Sequence, residues 1–194
     1  MLAAGLADAA KAQAQMLLDA LLPFAQAGIA VVGLEPSCLL TLRDEMLVMG
    51  LGEGAGVLAL QALLLEEFIA REAQVGRFEA RFKPATQAIA VHGHCHQKAC
   101  GAMPTVMDAI KLIPGAAPSL IESSCCGMAG SFGYEASHHA VSMQMAELTL
   151  LPAVRNAAEA IIVADGTSCR HQIADGTGRQ ALHVARVLAA HLIE

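Results

Sequence analysis

Tryptophan is absent from this chain, tyrosine occurs once and phenylalanine five times, so aromatic residues make up only 3% of it. The core must therefore be built from Ala, Leu, Val, Ile and Met. Long hydrophobic runs are also missing. Val57-Leu58-Ala59-Leu60 is broken at once by Gln61, and nothing approaches the ~18 apolar residues of a membrane helix. The segment from Met1 to Ala27 carries Asp8, Lys11, Gln13, Gln15 and Asp19 at intervals. That excludes a signal peptide, which needs a basic start and an unbroken apolar centre. Lys and Arg number 12 against 18 Asp and Glu, giving a net charge of −6. No basic run offers a stripe for phosphates, so nucleic-acid binding is excluded. There is no Gly-x-Ser-x-Gly, no phosphate loop ending in Lys-Ser/Thr and no Cys-x-x-Cys. Ordinary hydrolase and nucleotide-binding readings lose their support with them.

What is present is a hydrophobic chain of 194 residues, long enough for one larger domain or two small lobes. Residues 2–27 read as an amphipathic helix, with Leu17, Leu18, Leu21, Leu22 and Ala25 on one face and Gly28 as its stop. Ile29-Ala30-Val31-Val32 reads as a short buried strand ending at Glu35-Pro36-Ser37-Cys38. A helix is predicted from there to Met49. The glycine-rich stretch 50–56 reads as a connector, and 57–73 reads as one helix with Glu66, Glu67, Arg71 and Glu72 on its wet side. Ala88-Ile89-Ala90-Val91 then leads into His92-Gly93-His94-Cys95-His96. Further helices are predicted over 103–112, 137–157 with a kink at Pro152, and 181–192. Strands are predicted near 119–122, before Cys125-Cys126, and at 161–163, before Cys169. Strands alternating with helices predict an α/β fold, a parallel sheet flanked by helices with a Rossmann-like lobe. Ligand sites in such sheets lie at the C-terminal ends of the strands. Cys38, Cys95, Cys125 and Cys169 each follow a predicted strand.

Two segments echo each other: 29–38, ending in Glu-Pro-Ser-Cys, and 160–169, ending in Gly-Thr-Ser-Cys. The echo suggests an internal duplication, with a truncated first repeat over about 1–75 and a complete second repeat over about 76–194. Only the second copy has its own upstream Cys and Cys-Cys. A full first copy would need further chain before Met1, so the sequence reads as a piece of a longer protein.

Six cysteines without a secretory signal point to a reducing, cytoplasmic setting, where clustered thiols bind metal or do redox work more often than they form bridges. Four thiolates commonly hold an iron–sulfur cluster. Structural zinc also takes four Cys or His ligands, with paired short spacings. Adjacent cysteines cannot easily share one tetrahedral ion but can reach different irons of a cluster, which favours iron–sulfur over zinc. Gly127, Gly130 and Gly133 would let backbone approach a bulky group, or merely permit a tight turn.

The residues that carry a family resemblance are Gly33–Cys38, Leu42-Arg43-Asp44-Glu45, Leu64–Phe68, His92–Lys98, Cys125-Cys126-Gly127-Met128-Ala129-Gly130-Ser131-Phe132-Gly133-Tyr134-Glu135 and Gly166–Arg170. Over nearly its whole length the chain resembles the cysteine-rich CCG domain family. That domain is found in heterodisulfide reductase B subunits, glycolate oxidase iron–sulfur subunits and the C-terminal part of FAD-linked D-2-hydroxyacid dehydrogenases. The resemblance implies an electron-transfer module holding an iron–sulfur cluster, 4Fe–4S in type, on Cys95, Cys125, Cys126 and Cys169. Cys38 would be the surviving ligand of the first repeat or a fifth ligand to the shared site. It implies FAD on a separate domain or partner, a flavin-containing dehydrogenase and a ferredoxin-like iron–sulfur domain as partners, and a quinone or carrier as acceptor at the inner face of the membrane. Gly166-Thr167-Ser168-Cys169 is one thiol short of the Cys-x-x-Cys that ends each heterodisulfide reductase repeat, which argues against the noncubane cluster of those enzymes. Some relatives of the domain hold zinc.

Other residues carry two readings each. Cys100 reads as a buried thiol beside the site. His92, His94 and His96 alternate, so on an extended segment they would face one way and Cys95 the other, as ligand, proton relay or polar rim. Lys98, Arg170 and His171 would offset cluster charge or face solvent. Tyr134 has a substrate or quinone role as its sharper reading. His138 and His139 read as cap or surface, and Met143 and Met145 as helix packing. Against the electron-transfer module stand a non-catalytic scaffold, zinc-held or metal-free, that docks partners or self-associates into a homo-oligomer, and a thiol–disulfide enzyme using Cys125 and Cys126.

Overall fold

The computed structural model describes residues 1–193 and resolves two compact units, Met1–Leu65 and the part from Glu66 on. Among the described residues, no helix is long and apolar enough to cross a membrane.

The first unit is built on α1 (Ala7–Gln26), which buries Ala10, Ala14, Leu18 and Ala25 at near-helical spacing. Gly28, at φ 74°, ends it. Strand β1 (Val31–Gly33) follows, then α2 (Pro36–Leu39), with Pro36 in the first turn where no N–H is needed. The predicted helix to Met49 is instead broken into α2, a 3-10 turn at Leu40–Leu42 and α3 (Glu45–Val48). The predicted helix over 57–73 is also interrupted. Helix α4 (Gly54–Gln61) gives way to β2 (Ala62–Leu64), which pairs parallel to β1 with Val31 opposite Ala62. Ala and Leu favour helix locally, and the pairing with β1 overrides that preference.

The second unit opens with α5 (Leu65–Gln74) and is centred on a three-stranded parallel sheet ordered β4-β3-β5. Its strands are β3 (Ile89–His92), β4 (Pro118–Leu120) and β5 (Ile161–Ala164). β3 is buried along its whole length and β5 over Ile162–Ala164. Their unbroken apolar runs are those of parallel strands covered on both faces. Between strands lie α6 (Cys95–Ala99), α7 (Met103–Lys111), α8 (His139–Glu147) and α9 (Leu150–Asn156), and α10 (Thr167–Thr177) and α11 (Val184–His191) follow β5. The predicted helix over 137–157 is two helices, α8 and α9, with the break at Leu148-Thr149 rather than at Pro152. Pro152 sits in the first turn of α9, where its missing N–H costs nothing. The fold is thus α/β, with small parallel sheets flanked by helices in a Rossmann-like manner. The main apolar cluster of this unit includes Met128, Leu150, Leu151, Ile162 and Ile173, and among them Cys126 and Cys169.

Candidate metal centre

Four thiols of the second unit come together where β3, β4 and β5 end. Cys95 begins α6, three residues after β3. Cys125 and Cys126 lie in the turn after β4, and Cys169 lies in the first turn of α10 after β5. The sequence places Cys95, Cys125 and Cys169 after strands, and the structure agrees for all three. Cys38 also follows a strand, but within α2 of the first unit, where it is exposed. None of the six cysteines forms a disulfide.

The sulfurs form a relay. Cys95 hydrogen-bonds Cys125, Cys125 hydrogen-bonds Cys126, and Cys126 lies 3.4 Å from Cys169. Hydrogen bonds from Cys126 and then Cys95 pull Cys125 down to about 2. The hydrogen bond with Cys126 draws Cys169 down to about 5, with His92 helping. Cys95 is pushed up, first by its hydrogen bond to Cys125 and then by burial; Cys126 is pushed up by its bonds to Cys125 and Cys169. Four thiols within hydrogen-bond reach of one another are a donor set in which a soft metal can replace the shared protons.

The backbone of the Cys-Cys-Gly turn also faces the sulfurs. Gly127 N–H donates to Cys125 Sγ at 3.2 Å, and Ala129 N–H helps hold the same thiolate. Ala129 is the one described non-glycine residue with positive φ, 40°. Such strain persists where the surroundings over-determine it, commonly at functional sites. Gly127 itself has φ 90°, and a methyl group there would strike the Ser142 carbonyl. Its glycine identity is thus required by both conformation and space.

His92 ends β3 and is buried. Its Nδ1 lies 2.8 Å from Ser123 Oγ, while its Nε2 is buried with no oxygen or nitrogen partner. One ring nitrogen of His92 and the sulfurs of Cys126 and Cys169 lie within 4.8 Å of one another. The three histidines do not lie along one extended segment as their alternation suggests, because the chain turns into helix at His94; the His94 and His96 rings meet edge-on, with centroids 5.8 Å apart. His94 caps α6: its Nδ1 accepts from His96 N–H, and its own N–H donates to Gln97 Oε1. A converging thiol set, an orphaned imidazole nitrogen and amides aimed at sulfur fit a metal centre.

Around the site lie residues whose role the sequence does not announce. Gln97 is fully buried, and its Nε2 donates to Glu66 Oε1 at 3.1 Å and Asp165 Oδ2 at 2.8 Å. Glu66 does not face water as its place among Glu67, Arg71 and Glu72 suggests; it has no exposure at all. Burial, then the neighbouring Asp165 carboxylate, pushes its carboxyl up to about 10. Asp165 Oδ1 in turn accepts from Val184 N–H at 2.9 Å. Lys98 Nζ donates to the carbonyls of Ser123 and Ser124, each at 2.6 Å, bracing the turn before Cys125. Arg170 bonds the carbonyls of Ala164 and Asp165. Both cations are thus structural braces as well as local positive charge. Tyr134 Oη and His171 Nδ1 meet at 2.7 Å on the surface. His138 stands at the N-cap position of α8 without a side-chain capping bond, and its Nδ1 lies 3.1 Å from Glu135 Oε2.

No protein-family model and no solved structure matches the chain. Among curated proteins, it is 31% identical over 168 residues to D-2-hydroxyglutarate dehydrogenase of Escherichia coli K12, covering 85% of this chain and 16% of that protein. It is 26% identical over 165 residues to one subunit of the anaerobic glycerol-3-phosphate dehydrogenase of the same strain, covering 85% of this chain and 41% of that one. The D-2-hydroxyglutarate dehydrogenase of Pantoea ananatis matches at 31% over 168 residues. The chain therefore spans less than half the length of each of these relatives, and what it resembles is a part of a dehydrogenase or of a dehydrogenase subunit.

Proposed function

We propose that this chain is a CCG-type electron-transfer module of a flavin-linked 2-hydroxyacid dehydrogenase, with an iron–sulfur cluster on Cys95, Cys125, Cys126 and Cys169. The observation that carries the reading is the convergence of these four thiols from three separate strand ends. Similarity to portions of two dehydrogenase proteins supports it. A bound cluster supplies one-electron chemistry; the chain's residues hold it, exclude water on the Cys126–Cys169 side and aim backbone amides at its sulfur ligands. Electrons would pass from flavin on another domain or subunit, with a ferredoxin-like domain between, toward a carrier or quinone. Cys38 is read as the surviving ligand of a first repeat spanning about 1–75, with about 76–194 as the second.

The test is iron, zinc and acid-labile sulfide content, with a visible spectrum, on protein purified without oxygen. About four irons and four sulfides per chain, with broad absorption that bleaches on reduction, are expected for a 4Fe–4S cluster on four thiolates. Serine at Cys126 should abolish uptake. Serine at Cys38 should lower the iron content only if the first repeat contributes. One zinc without sulfide would overturn the electron-transfer reading.

That outcome would support a second reading, a zinc-held scaffold that docks partner subunits. One observation favours it: Cys126 and Cys169 are only 3.4 Å apart. Two sulfurs on one tetrahedral zinc, at ~2.3 Å each, lie about 3.8 Å from one another.

A further inference from the structure

We propose that His92 Nε2 is a ligand of the metal centre, closing a buried three-donor face with Cys126 and Cys169. The proposal rests on the single-ion reading of the site given above: three donors on one metal do not fit a 4Fe–4S cluster, whose irons each take one protein ligand, so its success would count against a cluster on all four thiols.

His92 occupies the last position of a strand whose other side chains, Ile89, Ala90 and Val91, are all apolar and buried. An imidazole there loses its water and needs a partner at each nitrogen. Ser123 serves Nδ1. Nothing of oxygen or nitrogen serves Nε2. One ring nitrogen of His92 lies within 4.8 Å of the two sulfurs, and Nδ1 is already engaged by Ser123, so a metal shared with the sulfurs would satisfy Nε2.

The tautomer is arranged for ligation. Ser123 Oγ lies 3.5 Å from the Ile121 carbonyl and can donate its hydrogen there. Its lone pairs are then free to accept from Nδ1–H. Nε2 is left unprotonated, its lone pair available to the site. A metal-bound histidine characteristically donates its other ring N–H to a fixed acceptor in this way. The competing arrangement is the opposite tautomer, with Nε2–H donating to the Cys169 sulfur and no bond to metal.

Cobalt(II) separates the two, because its visible d–d bands and sulfur-to-metal charge transfer report the mixture of nitrogen and sulfur ligands. The metal-free full chain is titrated with Co2+ without oxygen, alongside His92→Gln and His92→Cys. The wild type should bind with the spectrum of a mixed nitrogen–sulfur tetrahedral site. His92→Gln should weaken binding ~10- to 100-fold, as even outer-shell changes at metal sites do. His92→Cys should restore binding with bands at lower energy and stronger charge transfer. Cobalt-edge X-ray absorption of the wild type should show imidazole scattering, and it needs no variant to fold. An unchanged spectrum and affinity in His92→Gln, a sulfur-only wild-type site, or no Co2+ binding would each overturn the proposal. Failure to take up iron and sulfide would sink the electron-transfer reading alone, since the cobalt result decides His92 by itself.

Discussion

The side-chain amide of Gln97 donates to Asp165 Oδ2 at 2.8 Å, tying the helix that begins at Cys95 to the loop that precedes Cys169. The same nitrogen reaches Glu66, so one buried glutamine serves two carboxyl groups. Replacing it with leucine leaves both without that donor. Gln97→Leu should lower unfolding stability by about 3 kcal/mol, the scale for an unsatisfied buried group bonded to charge. Urea unfolding of the metal-free chain measures it, and a loss below ~1 kcal/mol would show that the two acids do not depend on this amide.

Glu66 gives the chain an alkaline weakness. Its carboxyl is raised from an ordinary 4.5 to about 10 in the folded state, by burial and by Asp165. The stability it contributes is complete below 4.5 and falls as pH rises toward 10, because the unfolded chain ionises first. The slope can reach ~1.4 kcal/mol per pH unit. Glu66→Gln should remove that slope, so the variant gains on the wild type between pH 6 and pH 9. Parallel pH profiles for the two proteins would refute the buried neutral acid.

Gly127 cannot become alanine without moving the Ser142 carbonyl or its own backbone, held at φ 90°. Left-handed backbone alone costs about 1–2 kcal/mol for a residue with a Cβ. Gly127→Ala should lose at least that in urea unfolding, and should impair Co2+ uptake because its N–H holds the Cys125 sulfur. Wild-type uptake in a folded variant would mean that the site does not depend on the shape of this turn.

Alkylation should follow thiolate character rather than exposure. Cys95 is the more exposed of its pair, yet its proton is held by contact with Cys125, which is itself pulled down to about 2. In metal-free protein at pH 6, iodoacetamide should therefore modify Cys125 ahead of Cys95. Peptide mass spectrometry over a time course decides, and the reverse order would contradict the lowering of Cys125 by its sulfur and amide neighbours.

The sequence made the strands beside the site legible because Ile89–Val91 and Ile161–Ala164 are apolar without interruption. It made the thiols legible through chemistry, since adjacent cysteines have few other uses. It hid β2, because Ala62-Leu63-Leu64 reads the same in a helix and becomes a strand only through pairing with β1. It hid the burial of Glu66 for a related reason. The groups that accommodate that carboxyl, Gln97 and Asp165, lie far along the chain, and a local pattern assigns a glutamate among charges to water. His92 was visible as one of three alternating histidines, but its burial depends on its standing at the end of the strand, before the chain turns into α6.

Cys126 and Cys169 are packing residues of the main apolar cluster as well as members of the thiol relay. Evolution cannot dispose of one role while leaving the other untouched. A lineage with no use for thiols at this site would still have to fill those two positions with side chains of similar size. Valine or alanine there, in chains that keep the surrounding core, would mark descendants that retained the shape of this domain after its chemistry had been given up.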